Sequence, residues 1–276
     1  SPPHVAIGYD ARHGSRLFAE DTARVLAAGG IRCSLFPDVV PTPLLAFAVK
    51  RLQLSAGVMV TASHNPRLDN GYKVYWTGGA QISSPVDAQI ADQIGRTPLL
   101  AESDLALLDH DLISTFADDV VEDYLDSIVG LLQPDGPREL SVVYTPLHGV
   151  GGRTVQQAFA RAGFAAPVAV ASQNEPDPDF PTAAFPNPEE TGVLDPMLAL
   201  AAEHDADVAL ANDPDADRLA VAVPNGPSWR LLSGDELGVL LAEYLLSQSA
   251  DVGPNRLVAT TVVSSGMLAD VARHHG

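Results

Sequence analysis

Short apolar segments alternate with longer helical segments along this chain, and that alternation constrains its fold more than any other feature. Strand-like runs occupy residues 4–9, 31–36 and 56–62, and helical patterns separate them at 15–30 and 42–52. The run AGVMVTA at 56–62 is nearly all apolar, which is typical of a central strand covered on both faces. Elements in this order predict an α/β layered domain.

Local signals predict where these elements begin and end. Ser15 is a candidate N-cap, Gly29 and Gly30 are a helix stop, and Pro43 fits the first turn of a helix, where its missing N–H costs little. GYKVYW at 71–76 predicts a further strand, in an antiparallel pairing with the strand before it. Two more helices are predicted, at 86–95 and 118–132.

A break at 133–140, QPDGPREL, predicts a linker between two domains. The alternation then restarts, and the proline-rich acidic segment 173–192 within it predicts a loop. A second linker at 250–256 precedes a predicted strand at 257–263 and a helix at 265–276, which cannot bury their own apolar faces. The predicted elements of the second unit are strands 140–145, 167–172, 206–212 and 219–224, and helices 153–163, 194–205 and 234–248. We therefore expect domains at 1–136 and 137–252, and the start of a third at 253–276.

Charge and cysteine content limit the partners and the compartment. The chain has 16 Lys and Arg against 35 Asp and Glu, a net charge of −19. Because such a surface repels phosphate backbones and anionic lipid, we expect neither nucleic acid nor membrane partners. Cys33 is the only cysteine, so no disulfide within the chain or zinc cluster is expected, and a cytoplasmic location fits best. We see neither a signal-peptide pattern at the start nor an apolar run near the ~20 residues needed to span a bilayer.

The segment TASHNP at 61–66 places Ser63 directly after a buried strand. In open α/β sheets, ligands bind beyond the carboxyl ends of the strands, so Ser63 is a candidate nucleophile and His64 could orient it or move a proton. Lys73 would return to this loop if 71–76 pairs with the preceding strand, and it would supply positive charge for an anion. The alternatives are a turn serine bonded to its own backbone, a solvated histidine and a strand-edge lysine.

The segment DPDADR at 213–218 carries a stronger chemical signal. Three crowded carboxylates, Asp213, Asp215 and Asp217, repel one another unless a hard cation holds them, and oxygen ligands suit Mg²⁺, Mn²⁺ or Ca²⁺. An EF-hand loop is excluded, because Arg218 stands where it needs glycine and Pro224 where it needs glutamate. A solvated acidic turn remains the alternative.

Two arginines are candidates for phosphate binding. Arg218 adjoins the carboxylates, and a guanidinium binds phosphate through a bidentate fork, whereas a purely structural metal loop has no need of a cation beside it. Arg12, in GYDARHGS, lies just past a predicted strand end and could also touch phosphate. Simple solvation is the alternative for Arg12.

Three segments in this order resemble the α-D-phosphohexomutase superfamily, which includes phosphoglucomutase and phosphomannomutase: TASHNP, NGYKVYW and DPDADR. The resemblance runs over nearly the whole chain. It is strongest to the branch with phosphopentomutase and glucose-1,6-bisphosphate synthase activities, through YTPLHGVGGRTV at 144–155 and DPDFPTAAFPNPEETGVLD at 177–195. It implies tandem three-layer α/β/α domains with mixed sheets.

The resemblance also implies a reaction. Ser63 would be a phosphoserine that exchanges its phosphoryl group with a sugar phosphate through a sugar bisphosphate, and glucose 1,6-bisphosphate or a similar compound would be the activator. One Mg²⁺ would be bound by the three aspartates and by a phosphate oxygen on Ser63, while His64, Lys73 and Arg218 match positions at the phosphoryl and sugar site. Either Lys73 or His64 could be the general acid or base. The family loop usually reads D-G-D-x-D-R; here Pro214 and Ala216 occupy the spacer positions, and Pro214 stiffens the loop.

Family members have four domains and roughly twice this length. The sugar-recognition loop of the third domain, the phosphate loop of the fourth, and an N-terminal segment with an arginine are absent here. We therefore expect a chain without that N-terminal segment and the C-terminal half, which retains Ser63 and the metal loop but lacks complete mutase activity. The other hypotheses are a module that binds metal and phosphosugar without turnover, a metal-stabilised α/β interaction domain, and a phosphatase-type hydrolase.

Overall fold

The computed structural model describes residues 2–248 and 256–276. Within them, two separate five-stranded sheets follow one another along the chain, each with helices packed against it. No helix in these two stretches is both long and apolar enough to cross a bilayer.

The first sheet has the strand order β4-β3-β1-β2-β5, and only β4 runs antiparallel, against β3. Its strands are β1 His4–Tyr9, β2 Arg32–Leu35, β3 Ala56–Val60, β4 Tyr72–Trp76 and β5 Ile113–Thr115. The helices of this unit are α1 Ser15–Ala28, α2 Thr42–Arg51, α3 Val86–Arg96 and α4 Asp119–Val129, with a short 3₁₀ turn at Glu102–Asp104.

The central strand β1 is buried on both faces. Val5, Ile7 and Tyr9 pack with Ala19 and Ala23 of α1. The opposite face carries Ala6, which belongs to a second cluster with side chains of α2 and α4. Because consecutive residues of a strand point to opposite faces, one apolar strand serves two cores. This is the three-layer α/β/α arrangement expected from the sequence.

The second sheet has the order β10-β9-β8-β6-β7, with antiparallel β9 and β10 at one edge. Its main core lies between the sheet and α6, around Met197, Ala201 and Ala209. The strands are β6 Val142–Thr145, β7 Val168–Ala169, β8 Val208–Asn212, β9 Leu219–Asn225 and β10 Ser228–Leu231. The helices are α5 Gly151–Arg161, α6 Asp195–Glu203, α7 Gly234–Gln248 and α8 Met267–His275. The mixed α/β architecture is thereby confirmed.

Two predictions about local structure are wrong, and two strands were missed. No strand forms among the described residues 256–263, because a strand needs a neighbour for its backbone hydrogen bonds and this segment pairs with none there; Leu257 is 92% exposed. Strands β5 and β10 were not predicted. Ser15 does not cap α1: Gly14 holds that position, and the Ser15 hydroxyl donates instead to Asp10 Oδ1 at 2.6 Å. The predicted linker at 250–256 lies outside the described residues except for Arg256.

Candidate active site

Ser63 lies in the loop that follows β3, at the carboxyl edge of the first sheet. Its backbone is left-handed, with φ +52°, a conformation that costs a side-chain-bearing residue roughly 1–2 kcal/mol and must be held by its surroundings. The Ser63 hydroxyl is nearly buried, and it donates to Asp213 Oδ2 at 2.8 Å. His64 Nδ1 lies 3.2 Å from the same oxygen. The serine therefore faces the second domain.

The acidic loop follows β8 of the second sheet. Carboxylate oxygens of Asp213, Asp215 and Asp217 lie within 4.8 Å of one another, and the first two residues are fully buried. Asp213 Oδ1 accepts the backbone N–H groups of Asp217, at 3.2 Å, and Arg218, at 3.0 Å. These bonds fold the loop back on its first carboxylate, so the three side chains converge.

Pro214, which departs from the family pattern, is accommodated by a close approach of the backbone. A Cβ on Gly149 would lie 2.3 Å from Pro214 Cα, so only glycine fits there. The Val150 N–H donates to the Pro214 carbonyl at 2.8 Å. The loop therefore rests on the turn before α5, and proline at this position leaves the aspartates converged.

Lys73 connects the two domains. Its position on β4, opposite Met59 of β3, confirms the antiparallel return predicted for 71–76. Lys73 Nζ lies 2.7 Å from an oxygen of Asp215 and 2.7 Å from an oxygen of Asp217. Thr42, at the start of α2, donates its hydroxyl to Asp215 Oδ2 at 2.6 Å. Sequence reasoning missed Thr42, since nothing local to residues 41–43 points to an acidic partner.

Burial and crowding separate the pKa values of the carboxylates. Burial, with the neighbouring charges of Asp215 and Asp217, raises the pKa of Asp213 to about 7. Burial also opposes ionisation of Asp215, but Lys73 and the hydrogen bonds from Lys73 and Thr42 outweigh it and lower that pKa. Although burial acts against the charged amine of Lys73, the two carboxylates raise its pKa.

The acidic cluster fits a hard divalent cation. Asp215 Oδ1 is buried without a hydrogen-bond partner among the described residues, so one carboxylate oxygen is free for another ligand bond. One lysine balances two of three crowded carboxylates, and the donor set is oxygen only. Asp213, Asp215 and Asp217 are the residues that could hold such an ion beside Ser63.

His64 and Arg218 lie on the more exposed side of this site: His64 is half-buried and Arg218 is exposed. Burial, together with the positive charges of Arg218 and Lys73, lowers the pKa of His64. The imidazole is therefore neutral at neutral pH and able to accept a proton. The exposed Arg218 guanidinium makes no hydrogen bond or ion pair with the described part of the chain, so it is open to a ligand.

Arg12 is buried, unlike the solvated arginine that was the alternative from the sequence, and its predicted contact with phosphate stays a prediction. It is 4% exposed, and its guanidinium donates to backbone carbonyls of the Ser63 loop, including Ser63 itself at 2.8 Å. Phe180, from the long loop of the second domain, covers it. Sequence reasoning gave no role to Phe180 or to Asp10, the buried acid beside Arg12.

Comparison with known proteins matches three domains of one family to this chain. The family descriptions "Phosphoglucomutase/phosphomannomutase, alpha/beta/alpha domain I", "domain II" and "domain III" match residues 1–99, 122–226 and 233–276. Helix α7 falls within the third match, although the sequence analysis assigned it to the second unit; the boundaries at 136 and 252 remain predictions.

Individual relatives cover nearly all of the chain. A probable phosphomannomutase of Haemophilus influenzae is 43% identical over 277 residues, 99% of this chain and 56% of that protein. The human phosphopentomutase is 40% identical over 293 residues, 99% of this chain and 48% of that protein. The crystal structure of a putative phosphomannomutase from Thermus thermophilus superposes with a TM-score of 0.72 at 26% identity, covering 90% of this chain and 53% of that one.

The chain thus spans about half the length of the curated relatives it matches. The family matches cover most of its residues, and the two sheets, the serine loop and the acidic loop agree with them. This chain belongs to the phosphoglucomutase/phosphomannomutase family.

Proposed function

We propose that the protein containing this chain is a Mg²⁺-dependent phosphosugar mutase. It would move a phosphoryl group between two positions of a hexose or pentose phosphate through phospho-Ser63 and a sugar bisphosphate. The observation that carries this proposal is the 2.8 Å contact between the Ser63 hydroxyl of the first domain and Asp213 of the second. That contact joins the only serine in TASHNP to a carboxylate cluster suited to a cation.

The substrate class rests on the names of the relatives, which include phosphomannomutases, phosphopentomutases and a phosphoribomutase. Both hexose and pentose phosphates are therefore within the proposed range. A divalent ion held by Asp213, Asp215 and Asp217, with a phosphate oxygen on Ser63, would neutralise charge on the transferring group. Transfer of this kind demands positioning and charge neutralisation more than covalent work by the protein.

The proposed cycle has two transfers. In the first, a sugar hydroxyl oxygen bonds to phosphorus as the bond from phosphorus to Ser63 Oγ breaks; the sugar hydroxyl loses its proton and Ser63 Oγ gains one. In the second, after the bisphosphate reorients, Ser63 Oγ attacks the other phosphate, and its proton leaves as the departing sugar oxygen takes one up. Atoms and charge balance over the cycle, and the enzyme returns to phospho-Ser63.

We infer the proton acceptor for the Ser63 hydroxyl from distance together with the proposed metal site. Asp213 and His64 both lie within hydrogen-bond reach, at 2.8 Å and 3.2 Å from Oγ. Once Asp213 serves as a metal ligand, the neutral imidazole of His64 is the remaining acceptor beside the hydroxyl. Lys73 and the open guanidinium of Arg218 would bind the phosphate oxygens.

The test is phosphoryl transfer onto Ser63. The chain is incubated with Mg²⁺ and glucose 1,6-bisphosphate, and its peptides are mapped by mass spectrometry. We expect one phosphoryl group on Ser63, none on Ser63→Ala, and at least tenfold less on Asp215→Asn. Ser83→Ala is the matched control and should match the wild type, because Ser83 is exposed before α3 and its hydroxyl makes no hydrogen bond with the described residues.

Two outcomes would favour other functions. Binding of Mg²⁺ and a phosphosugar with no phosphate on Ser63, also in a four-domain version built from this chain, would support a binding module without turnover. A rise in thermal stability with Mg²⁺ and no response to any phosphosugar would support a metal-stabilised interaction domain. Either result would contradict the mutase proposal.

A further inference from the structure

The inner side of the Ser63 loop is held by one buried arginine. Arg12 directs one guanidinium nitrogen to the carbonyls of Ser63, at 2.8 Å, and Asn65, at 2.7 Å. The second nitrogen reaches the carbonyls of Pro66, at 2.7 Å, and Asp69, at 3.3 Å. A single side chain thus binds four carbonyls within seven consecutive residues.

Arg12 is itself fixed by buried polar partners. Asp10, which is 2% exposed, places Oδ2 3.3 Å from Arg12 Nε. The other Asp10 oxygen accepts the Arg12 backbone N–H at 3.0 Å and the Ser15 hydroxyl at 2.6 Å. The Asn70 amide donates to the Ser15 hydroxyl oxygen at 3.1 Å. The far end of the serine loop is therefore tied to the same network.

The long loop of the second domain covers this network. The Phe180 ring lies 5.0 Å from the Arg12 guanidinium carbon, and Phe180 is 4% exposed. Its neighbour Asp179 lies 3.2 Å from His13 Nε2 and 3.5 Å from a guanidinium nitrogen of Arg67, both from the first domain. The loop of the second domain thus packs against the segment that presents Ser63.

Only an arginine can satisfy this arrangement. The four carbonyls converge on the buried Arg12 side chain, in one buried and three part-buried hydrogen bonds, and carbonyls shielded from water without donors are costly. A planar guanidinium has five N–H groups in a fixed fork, whereas the ammonium of lysine has three at a single point. Lysine could therefore keep the charge but not the geometry.

We propose that Arg12 is the positioning residue for Ser63: it holds the loop in the left-handed conformation that aims the hydroxyl at Asp213, and Phe180 couples this hold to docking of the second domain. The consequence for phosphoryl transfer rests on the function proposed above, but the structural role does not. Because the terminal nitrogens of Arg12 are already bound to carbonyls, Arg12 acts through Ser63 and does not contact phosphate.

The structural role is tested by hydrogen exchange and mass spectrometry on peptides covering 61–71. The amides of Ser63, Asn65 and Asp69 are hydrogen-bonded and report on the loop. In Arg12→Lys we expect these amides to exchange at least tenfold faster, while the strands of the second sheet keep their wild-type protection. Arg16→Lys is the matched control, because Arg16 is exposed and Glu20 is its one side-chain partner among the described residues. Unchanged exchange at 61–71 in Arg12→Lys would overturn the proposal.

The functional consequence is tested by single-turnover phosphorylation of Ser63 from glucose 1,6-bisphosphate. A displacement of the nucleophile by about 1 Å costs on the order of 100-fold in rate, so Arg12→Lys should transfer roughly 10- to 100-fold more slowly. The half-saturating concentration of the bisphosphate should stay within about twofold of the wild type. A rise of tenfold or more in that concentration at an unchanged rate would make Arg12 a substrate contact and overturn the positioning role.

The two assays separate failure of this inference from failure of the proposed function. A wild-type chain that is never phosphorylated would contradict the mutase proposal, while the exchange measurement would still decide the role of Arg12. If Arg12→Lys loses protection throughout, Phe180→Leu decides instead, because it keeps an apolar cover and removes the aromatic face. A loop-specific increase in exchange supports the coupling, and wild-type exchange in Phe180→Leu overturns it.

Discussion

A divalent cation at the proposed site would compete with Lys73 for the carboxylates of Asp215 and Asp217, and this competition gives a quantitative prediction. Lys73 Nζ lies 2.7 Å from oxygens of both Asp215 and Asp217, and its side chain is 19% exposed. A cation that binds these two carboxylates would have to displace the ammonium group or share the carboxylates with a like charge. The substitution Lys73→Met removes the charge and keeps the apolar stem.

The magnitude follows from burial. Removing one partner of a buried ion pair costs about 3–5 kcal/mol, and the partial exposure of Asp217 favours the lower end. At roughly 2–4 °C per kcal/mol, the melting temperature of Lys73→Met in EDTA should fall by about 6–12 °C. A coupling of about 1.4–2.8 kcal/mol between Lys73 and the ion corresponds to Mg²⁺ binding 10- to 100-fold more tightly in the variant.

The assay is thermal unfolding across a Mg²⁺ titration that starts from EDTA, with calorimetric titration of Mg²⁺ at 25 °C. Saturating Mg²⁺ should close most of the gap in melting temperature between Lys73→Met and the wild type. Lys50→Met, at the exposed end of α2, replaces the only other lysine and should behave as the wild type. Mg²⁺ affinity in Lys73→Met equal to or weaker than the wild-type value would refute the competition.

Three further predictions concern the same site. In EDTA, the contribution of Asp213 to the free energy of unfolding should fall as pH rises from about 3.8 to about 7. The cause is its raised pKa: in this range the folded protein binds a proton that the unfolded chain has released. Melting curves of Asp213→Asn measured against pH should lack this contribution, and an identical pH slope in that variant would contradict the prediction. Gly149→Ala should destabilise the protein by about 2–4 kcal/mol and weaken Mg²⁺ binding, because its Cβ would lie 2.3 Å from Pro214 Cα. The control Gly238→Ala, in open space on α7, should change the free energy of unfolding in urea by less than about 1 kcal/mol. The rate of serine phosphorylation in the wild type should fall at acid pH with a midpoint below 6.5, because burial lowers the pKa of His64. His64→Gln should abolish this fall in rate. A fall that survives the substitution would exclude His64 as the proton acceptor.

Local sequence patterns predicted a helix or strand well where the segment itself carries a clear hydrophobic pattern. The apolar run of β1 was predicted to the residue, and β3 and α2 to within one or two. The three residues of β5 are too few for any periodicity to register. The strand predicted at 257–263 was wrong because β-propensity reports how well a segment suits a sheet, and no neighbouring strand is present among the described residues.

The residues of the candidate site also differ in how far the sequence alone predicted them. The spacing of the aspartates alone indicated the cation cluster at 213–217, and the position of Ser63 directly after a strand drew attention to that serine. Their meeting across 150 positions followed only from resemblance, because it depends on how two domains dock. The buried position of Arg12 was beyond any sequence pattern, since it depends on where the carbonyls of a folded loop point.

Each sheet of this molecule can form its own hydrogen bonds and core before the other is complete, yet Ser63 and Asp213 come from different sheets. The reactive arrangement is therefore a property of the assembled pair and of neither half. During synthesis, a finished first domain would present its serine without the carboxylates that the proposed reaction requires, and so would not be phosphorylated. Under the proposed function, phosphate on Ser63 would mark chains whose domains have docked, so the modification would record correct assembly as well as serve as a catalytic intermediate.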